Sequence, residues 1–166
     1  MTSTAPEAVE RLPPHNIEAE QAVLGSLLID RDAIIRVASF LRPDDFFRGS
    51  HAVIYQAILD LYTRRVPADF VTVVDELERT GRLDDAGGVA YLTELLSVVP
   101  SAVHVEYYAR IVERTATLRR LINAGTEIVR LGFDERIEAD EAIERAERLI
   151  FDVSQRRASR DFVSVG

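Results

Sequence analysis

The chain has 166 residues, a hydrophobic fraction of 47%, a charged fraction of 29% and a formal net charge of -8. Its length indicates one domain with room for an appendage, and its apolar content is enough for a real core. The absence of cysteine excludes disulfides, thiolate metal sites and cysteine nucleophiles, and fits a reducing compartment. The acidic balance argues against gripping duplex DNA by counterion release. All the basic side chains are arginine, a residue suited to bidentate contacts at protein interfaces.

The first residues, MTSTAPEAVE, carry neither a basic segment nor an apolar one, so they do not read as a secretory signal. Residues 1–11 read as a disordered lead. Pro13 and Pro14 then impose an extended path. Asn16 is an N-cap, with Glu18 and Glu20 at the positive end of the helix that follows. Val23, Leu24, Leu27 and Leu28 form one apolar stripe, and Asp30 ends the element. Ala33, Ile34, Ile35 and Val37 predict a second, shorter helix. LRPDDFF reads as a tight turn with Phe46 and Phe47 tucked inward.

Ser50 opens a third helix that buries Val53, Ile54, Ala57, Ile58, Leu61 and Tyr62. Pro67 breaks the chain, and Asp69 caps a fourth helix holding Val73, Val74 and Leu77 inside. Gly81 stands where a glycine stops a helix. A fifth helix is predicted over 89–98, bounded by Pro100. From 103 to 131 runs one long helical pattern, with Tyr107, Ile111, Leu118, Leu121, Ile122, Ile128 and Val129 on its apolar face. Gly132 to Asp134 signal a turn. A last helix over 140–155 carries Ala142, Ile143, Ala146, Leu149, Ile150 and Val153. No alternating strand pattern occurs. The reading is all-α: a globular multi-helix head (12–101), then an antiparallel helical hairpin (102–157). The hairpin has more apolar residues than a two-helix core needs. It either docks on its own head or is covered by another subunit.

No catalytic constellation emerges. There is no P-loop, and no lysine to supply one. Gly87-Gly88 precedes a helix and could approach a phosphate, but Asp84 and Asp85 stand before it, so a plain loop-to-helix junction is the reading. His15, His51 and His104 are far apart and show no metal-ligand spacing, which points to surface or capping roles. Arg119-Arg120 is either exposed charge on a long helix or a contact point for an acidic partner.

Six blocks occur in order: PPHNIEAEQAVLGSLLID, RPDDFF, HAVIYQAILDL, PADFVTVVDEL, GGVAYLTELL and YYARIVERTATLRRLINAG. Together they resemble the N-terminal domain of bacterial DnaB-type replicative DNA helicases, from about Leu12 onward. RRASRDFVSVG resembles the start of the linker to that family's motor domain, so 158–166 is expected to begin it.

The resemblance implies a collar domain of a hexameric, cytoplasmic helicase at the replication fork, with no cofactor of its own. ATP and Mg are implied only for the motor domain, outside this sequence. The implied partners are further copies of the chain, as a dimer, trimer of dimers or hexamer, together with the primase C-terminal domain and a helicase loader. Neither a membrane nor strong DNA binding is expected. A free-standing helical adaptor for the primosome or the loader is the other reading. Through its GGVAYL, LRRLI and NIEAEQ blocks, the resemblance assigns primase docking to Tyr91, Arg119 and Ile122, with Glu18 at the edge. The hairpin's excess apolar surface marks Ile128 and Ile150 as an oligomer interface. Tyr91, just after the glycine pair, is expected to keep its ring partly exposed and its hydroxyl in water.

Overall fold

The computed structural model describes residues 11–165, with side chains through Arg156. The disordered lead expected before Leu12 falls, apart from Arg11, outside the described residues. Among the described residues there are six α-helices, two short 3₁₀ turns and no strand.

The Oδ1 of Asn16 accepts the backbone N–H of Ala19 at 2.9 Å and starts α1, Ile17–Ile29. This helix is buried on nearly every side from Ala19 to Leu28, not along one stripe as its periodicity predicts. A helix apolar all round belongs at the centre of a fold. Ser26 makes that position tolerable by donating to the Ala22 carbonyl at 2.7 Å. Two helices, the 3₁₀ turns and a long fifth helix then wrap α1.

The predicted second helix is a 3₁₀ turn, Ala33–Arg36, with Ile34 and Val37 inside. Another 3₁₀ turn, Pro43–Asp45, follows. Phe46 is buried as expected. Phe47 is not: it lies on the surface, where its ring stacks on His15 with centroids 4.5 Å apart.

Helix α2, Gly49–Thr63, buries the expected Val53, Ile54, Ala57, Ile58 and Leu61. It also fully buries Tyr55, whose hydroxyl donates to the Leu41 carbonyl at 2.9 Å; desolvation raises that phenol above its usual range. Tyr62, predicted inside, is exposed in the last turn.

Asp69 and Thr72 form a capping box at the start of α3, Phe70–Arg79. Gly81 ends it at φ 73°, with the Arg82 N–H returning to the Leu77 carbonyl at 2.8 Å. Helix α4, Gly88–Leu95, is shorter than predicted. It passes so close to α1 that a Cβ on Gly25 would lie 2.5 Å from the Leu95 carbonyl oxygen.

Helices α5, Val105–Phe133, and α6, Ala139–Val165, pack against each other as the predicted hairpin. The last helix continues ten residues past the predicted end at Gln155, through the segment expected to begin a linker. The buried face of α5 differs from the predicted one. Val105, Ala109, Val112 and Ala116 face the head, while Tyr107, Leu121, Ile122 and Val129 are exposed. Small residues win that face because they let two helix backbones approach closely, which the larger residues would prevent. The first half of α5 is therefore clamped to the head, and its second half projects with α6.

Candidate functional site

The arm, the first turn of α1, the Pro43–Arg48 loop and the start of α4 meet on one side of the head. Their meeting point is a polar relay. Glu20, with its side chain wholly inside, accepts the backbone N–H of Phe47 at 2.6 Å and that of Arg48 at 3.4 Å. His51 Nδ1 lies 2.7 Å from Glu20 Oε1, and His51 Nε2 lies 2.6 Å from the Tyr91 hydroxyl.

Donor counting assigns the hydrogen bonds. Tyr91 Oη already accepts from Gln21 Nε2 at 3.0 Å and from an Arg48 guanidinium nitrogen at 3.2 Å. A phenol oxygen has two lone pairs, so its own proton goes to His51 Nε2. His51 Nδ1 then donates to the Glu20 carboxylate. Tyr91's hydroxyl is therefore engaged inside the head and does not reach water as expected; its half-buried ring stacks on His51 at 5.8 Å. His51 is fully buried, which overturns the surface role expected of it.

The second cluster ties α5 to the same loop. Arg119 donates to the carbonyls of Pro14 and Asp45, each at 2.8 Å, and its guanidinium lies over the Phe47 ring at 5.3 Å. Burial lowers its pKa from the usual range, with Glu20 and Asp45 opposing that trend. Arg120 reaches the buried Asp45 carboxylate at 2.5 Å and Asp44 at 3.4 Å. Arg156 of α6 reaches Asp44 at 2.7 Å. The arginine pair is thus not free surface charge. Its acidic partner is the chain's own RPDDFF turn.

Arg119 and Tyr91 are brought together only indirectly, through Phe47, Arg48 and Glu20. Glu18 is exposed at the mouth of a cleft of about 410 Å³ shared with Asn16, Gln21 and Tyr108. Ile122, one turn beyond Arg119, is 48% exposed and open to a partner. On the hairpin, Ile128 and Ile150 do meet: with Ala146 and Phe151 they line an apolar groove of about 500 Å³.

Sequence reasoning missed Glu20 and His51. The available signal was register, because Glu20 shares the α1 face of Val23, Leu24 and Leu27 and so had to be buried. The glycine pair does not fit a phosphate. Gly87 and Gly88 both have positive φ, 100° and 82°, but the Tyr91 ring covers the first of them, and a Cβ there would lie 3.0 Å from that residue.

A family model for the DnaB-like helicase N-terminal domain matches residues 12–114. The replicative DNA helicase DnaB of Geobacillus stearothermophilus is 46% identical over 156 residues, 94% of this chain and 34% of that protein. The DnaB of Mycobacterium leprae is 48% identical over 155 residues, 92% of this chain and 26% of that protein. The chain thus spans about a third or less of these relatives. Among solved structures, the N-terminal domain of DnaB helicase from Mycobacterium tuberculosis superposes with a TM-score of 0.81 at 48% identity, covering 86% of this chain and 99% of that one. A structure of a DnaB-like replicative helicase and its interactions with primase gives a TM-score of 0.70 at 28% identity, over 84% of this chain and 31% of that one.

Proposed function

The chain belongs to the family of DnaB-like helicase N-terminal domains, and on that premise we propose that it is the assembly and recruitment collar of a hexameric replicative helicase in the cytoplasm. One observation carries the reading: the hairpin is uncovered. Ile143, Ile150 and Phe151 of α6 and Val129 of α5 are exposed beside the apolar groove at Ile128. Monomers rarely expose contiguous apolar patches of this kind. Packing two such hairpins face to face makes a four-helix arrangement that covers them. Clamping the first half of α5 to the head gives the hairpin a fixed direction, which an assembly surface needs.

In this reading the arm side of the head receives the C-terminal domain of primase. The solved helicase with its primase interactions supports that partner. Glu18 and Ile122 present themselves directly. Tyr91 offers its ring edge, and Arg119 acts by holding the arm and Phe47 in place. A helicase loader would be a further partner. Hydrolysis and strong DNA binding belong elsewhere in the helicase.

The test is sedimentation of the chain with and without Ile150→Glu. The unaltered protein self-associates, and the variant falls to a lower state with its helical spectrum unchanged. A monomer at high concentration before any substitution overturns the reading. For docking, Ile122→Asp lowers affinity for the cognate primase C-terminal domain by roughly 1–3 kcal/mol, with unaltered melting. An unchanged affinity removes Ile122 from the surface.

A further inference from the structure

Two neighbouring carboxylates in the RPDDFF turn are held in opposite ways. Asp45 is fully buried; it accepts from the backbone N–H of Arg42 at 2.8 Å and from the Arg120 guanidinium at 2.5 Å. The Asp44 side chain is 61% exposed, and one guanidinium nitrogen of Arg156, in α6, reaches both its oxygens, at 2.8 and 2.7 Å. Arg120 also reaches Asp44, at 3.4 Å. The Asp45 contact is shielded from water. The Asp44–Arg156 pair is open to water and salt, which leave such a pair little net strength.

Arg156 matters because α6 is otherwise lightly held. From Ala139 through Arg156 no residue is buried. The helix packs along α5. Near Arg156 that seam is incomplete: a crevice of about 290 Å³ lies between Asn123 and Ala124 of α5 and Leu149 and Val153 of α6. Atoms lining a gap lose the contacts that would fix them. Few buried contacts and a weak ion pair mark a segment that opens locally while the rest stays folded.

The pair ends on a loop that is gripped from its other side. The Asp45 carbonyl accepts from Arg119, which also holds the Pro14 carbonyl of the arm. Phe47 stacks on His15 of the arm, and its N–H is held by Glu20. The loop 43–48 therefore touches the arm, α1, α5 and the returning end of α6.

We propose that Asp44 and Arg156 form a releasable clasp, and that the loop 43–48 couples this clasp to the arm. Seating the arm favours a clasped α6, and freeing α6 loosens the arm. The device lies within one chain and is independent of what covers the hairpin. Such coupling is reciprocal, so each end reports a change made at the other.

The test is amide hydrogen exchange on the whole chain, read by NMR at residues 152–156 and at the Phe47 and Arg48 amides, beside thermal melting. Arg156→Gln raises exchange at 152–156 by up to roughly fivefold, the size an exposed ion pair allows. It raises exchange at Phe47 and Arg48 by a smaller factor and leaves melting unaltered. Arg156→Lys, which keeps the charge but not the planar guanidinium, falls between. Salt at about 1 M does to the unaltered chain what Arg156→Gln does. Phe47→Ala, which removes the ring facing His15 and Arg119, speeds exchange at 152–156. Unchanged exchange at 152–156 in Arg156→Gln overturns the clasp. A rise confined to α6, or no response there to Phe47→Ala, overturns the coupling. A matching fall in melting makes Arg156 a general structural residue and overturns both.

Discussion

The head and the hairpin are built from the same helices and the same arginine–carboxylate chemistry, yet they use them oppositely. In the head, carboxylates are inside: Glu20 and Asp45 are fully buried and tied to backbone N–H groups and to His51 or Arg120. In the hairpin beyond Ala124, charge is outside and, apart from the Arg156–Asp44 pair, local, as in the Glu141–Arg145 pair one turn apart. Most of the head's large apolar residues are enclosed, with Ile35, Phe47, Tyr62 and Val71 among the exceptions, whereas the hairpin's largest ones face solvent. Buried polar links define one arrangement of four segments and make the head rigid. The hairpin, with a seam of alanine, leucine and isoleucine, keeps its larger surface for another chain.

The sharpest way to break this contrast is Glu20→Ala. It leaves two backbone N–H groups and the His51 Nδ1–H without their acceptor inside the head. Leaving a buried hydrogen-bond donor without its acceptor costs about 1–3 kcal/mol, so denaturant titration should show a loss of at least that size. A loss below about 1 kcal/mol would mean that water reaches the relay. Gly25→Ala follows. The new methyl meets the Leu95 carbonyl, which is backbone and cannot swing aside, so overpacking costs about 1–3 kcal/mol. An equivalent change at Gly132 meets nothing within 4 Å and should cost far less.

Acid should also act on the head first. Hydrogen bonds from Arg64 and Arg79 hold the Glu76 carboxyl at about 2, below the ordinary 4.5. The folded value is depressed, so the stabilisation is full above pH 4.5 and is lost as pH falls toward 2. Stability measured across that window should drop in the unaltered protein and drop less in Glu76→Gln. Identical acid limbs in the two proteins would remove Glu76 from the account. Both arginines are about half exposed, so solvent screening keeps the effect below that of Glu20.

Much of this arrangement was legible in the sequence, for local reasons. Asn16, Asp69 and Gly81 act within one turn of themselves, so their caps are where the sequence places them. The long hairpin follows from period and a turn. What the sequence hid is long-range. Periodicity reports that α5 has an apolar face but not which neighbour claims it. The claim went to Val105, Ala109, Val112 and Ala116, because α1 is itself buried on all sides and needs close approach. Phe47 and Tyr62 look like core residues by type, yet ring stacking and a helix end place them outside. Of the interface candidates, Ile128 and Ile150 do share a groove. The Tyr91 hydroxyl and the Arg119 guanidinium are used by contacts 40 to 105 residues away in sequence, which no local pattern carries.

The smallest expected effect completes the contrast. Glu141 and Arg145 in the first turns of α6 are joined at 2.6 Å, and each is about half exposed. The pair has the favourable order for a helix, with the acid one turn before the base. It also places a carboxylate near the helix's positive end. Against this, water screens both charges and two long side chains lose freedom in pairing. Exposed pairs of this spacing contribute about 0.3–0.5 kcal/mol. A double-mutant cycle of Glu141→Gln and Arg145→Gln should return a coupling of that size at low salt. The coupling should vanish as salt rises to about 1 M, where the screening length shrinks to about 3 Å. The same cycle on Asp45 and Arg120, a pair with one carboxylate fully buried, should give a larger coupling that salt barely moves. If salt erases both couplings alike, the head's carboxylates are as wet as the hairpin's, and the division between a rigid head and an open hairpin fails at its electrostatic root.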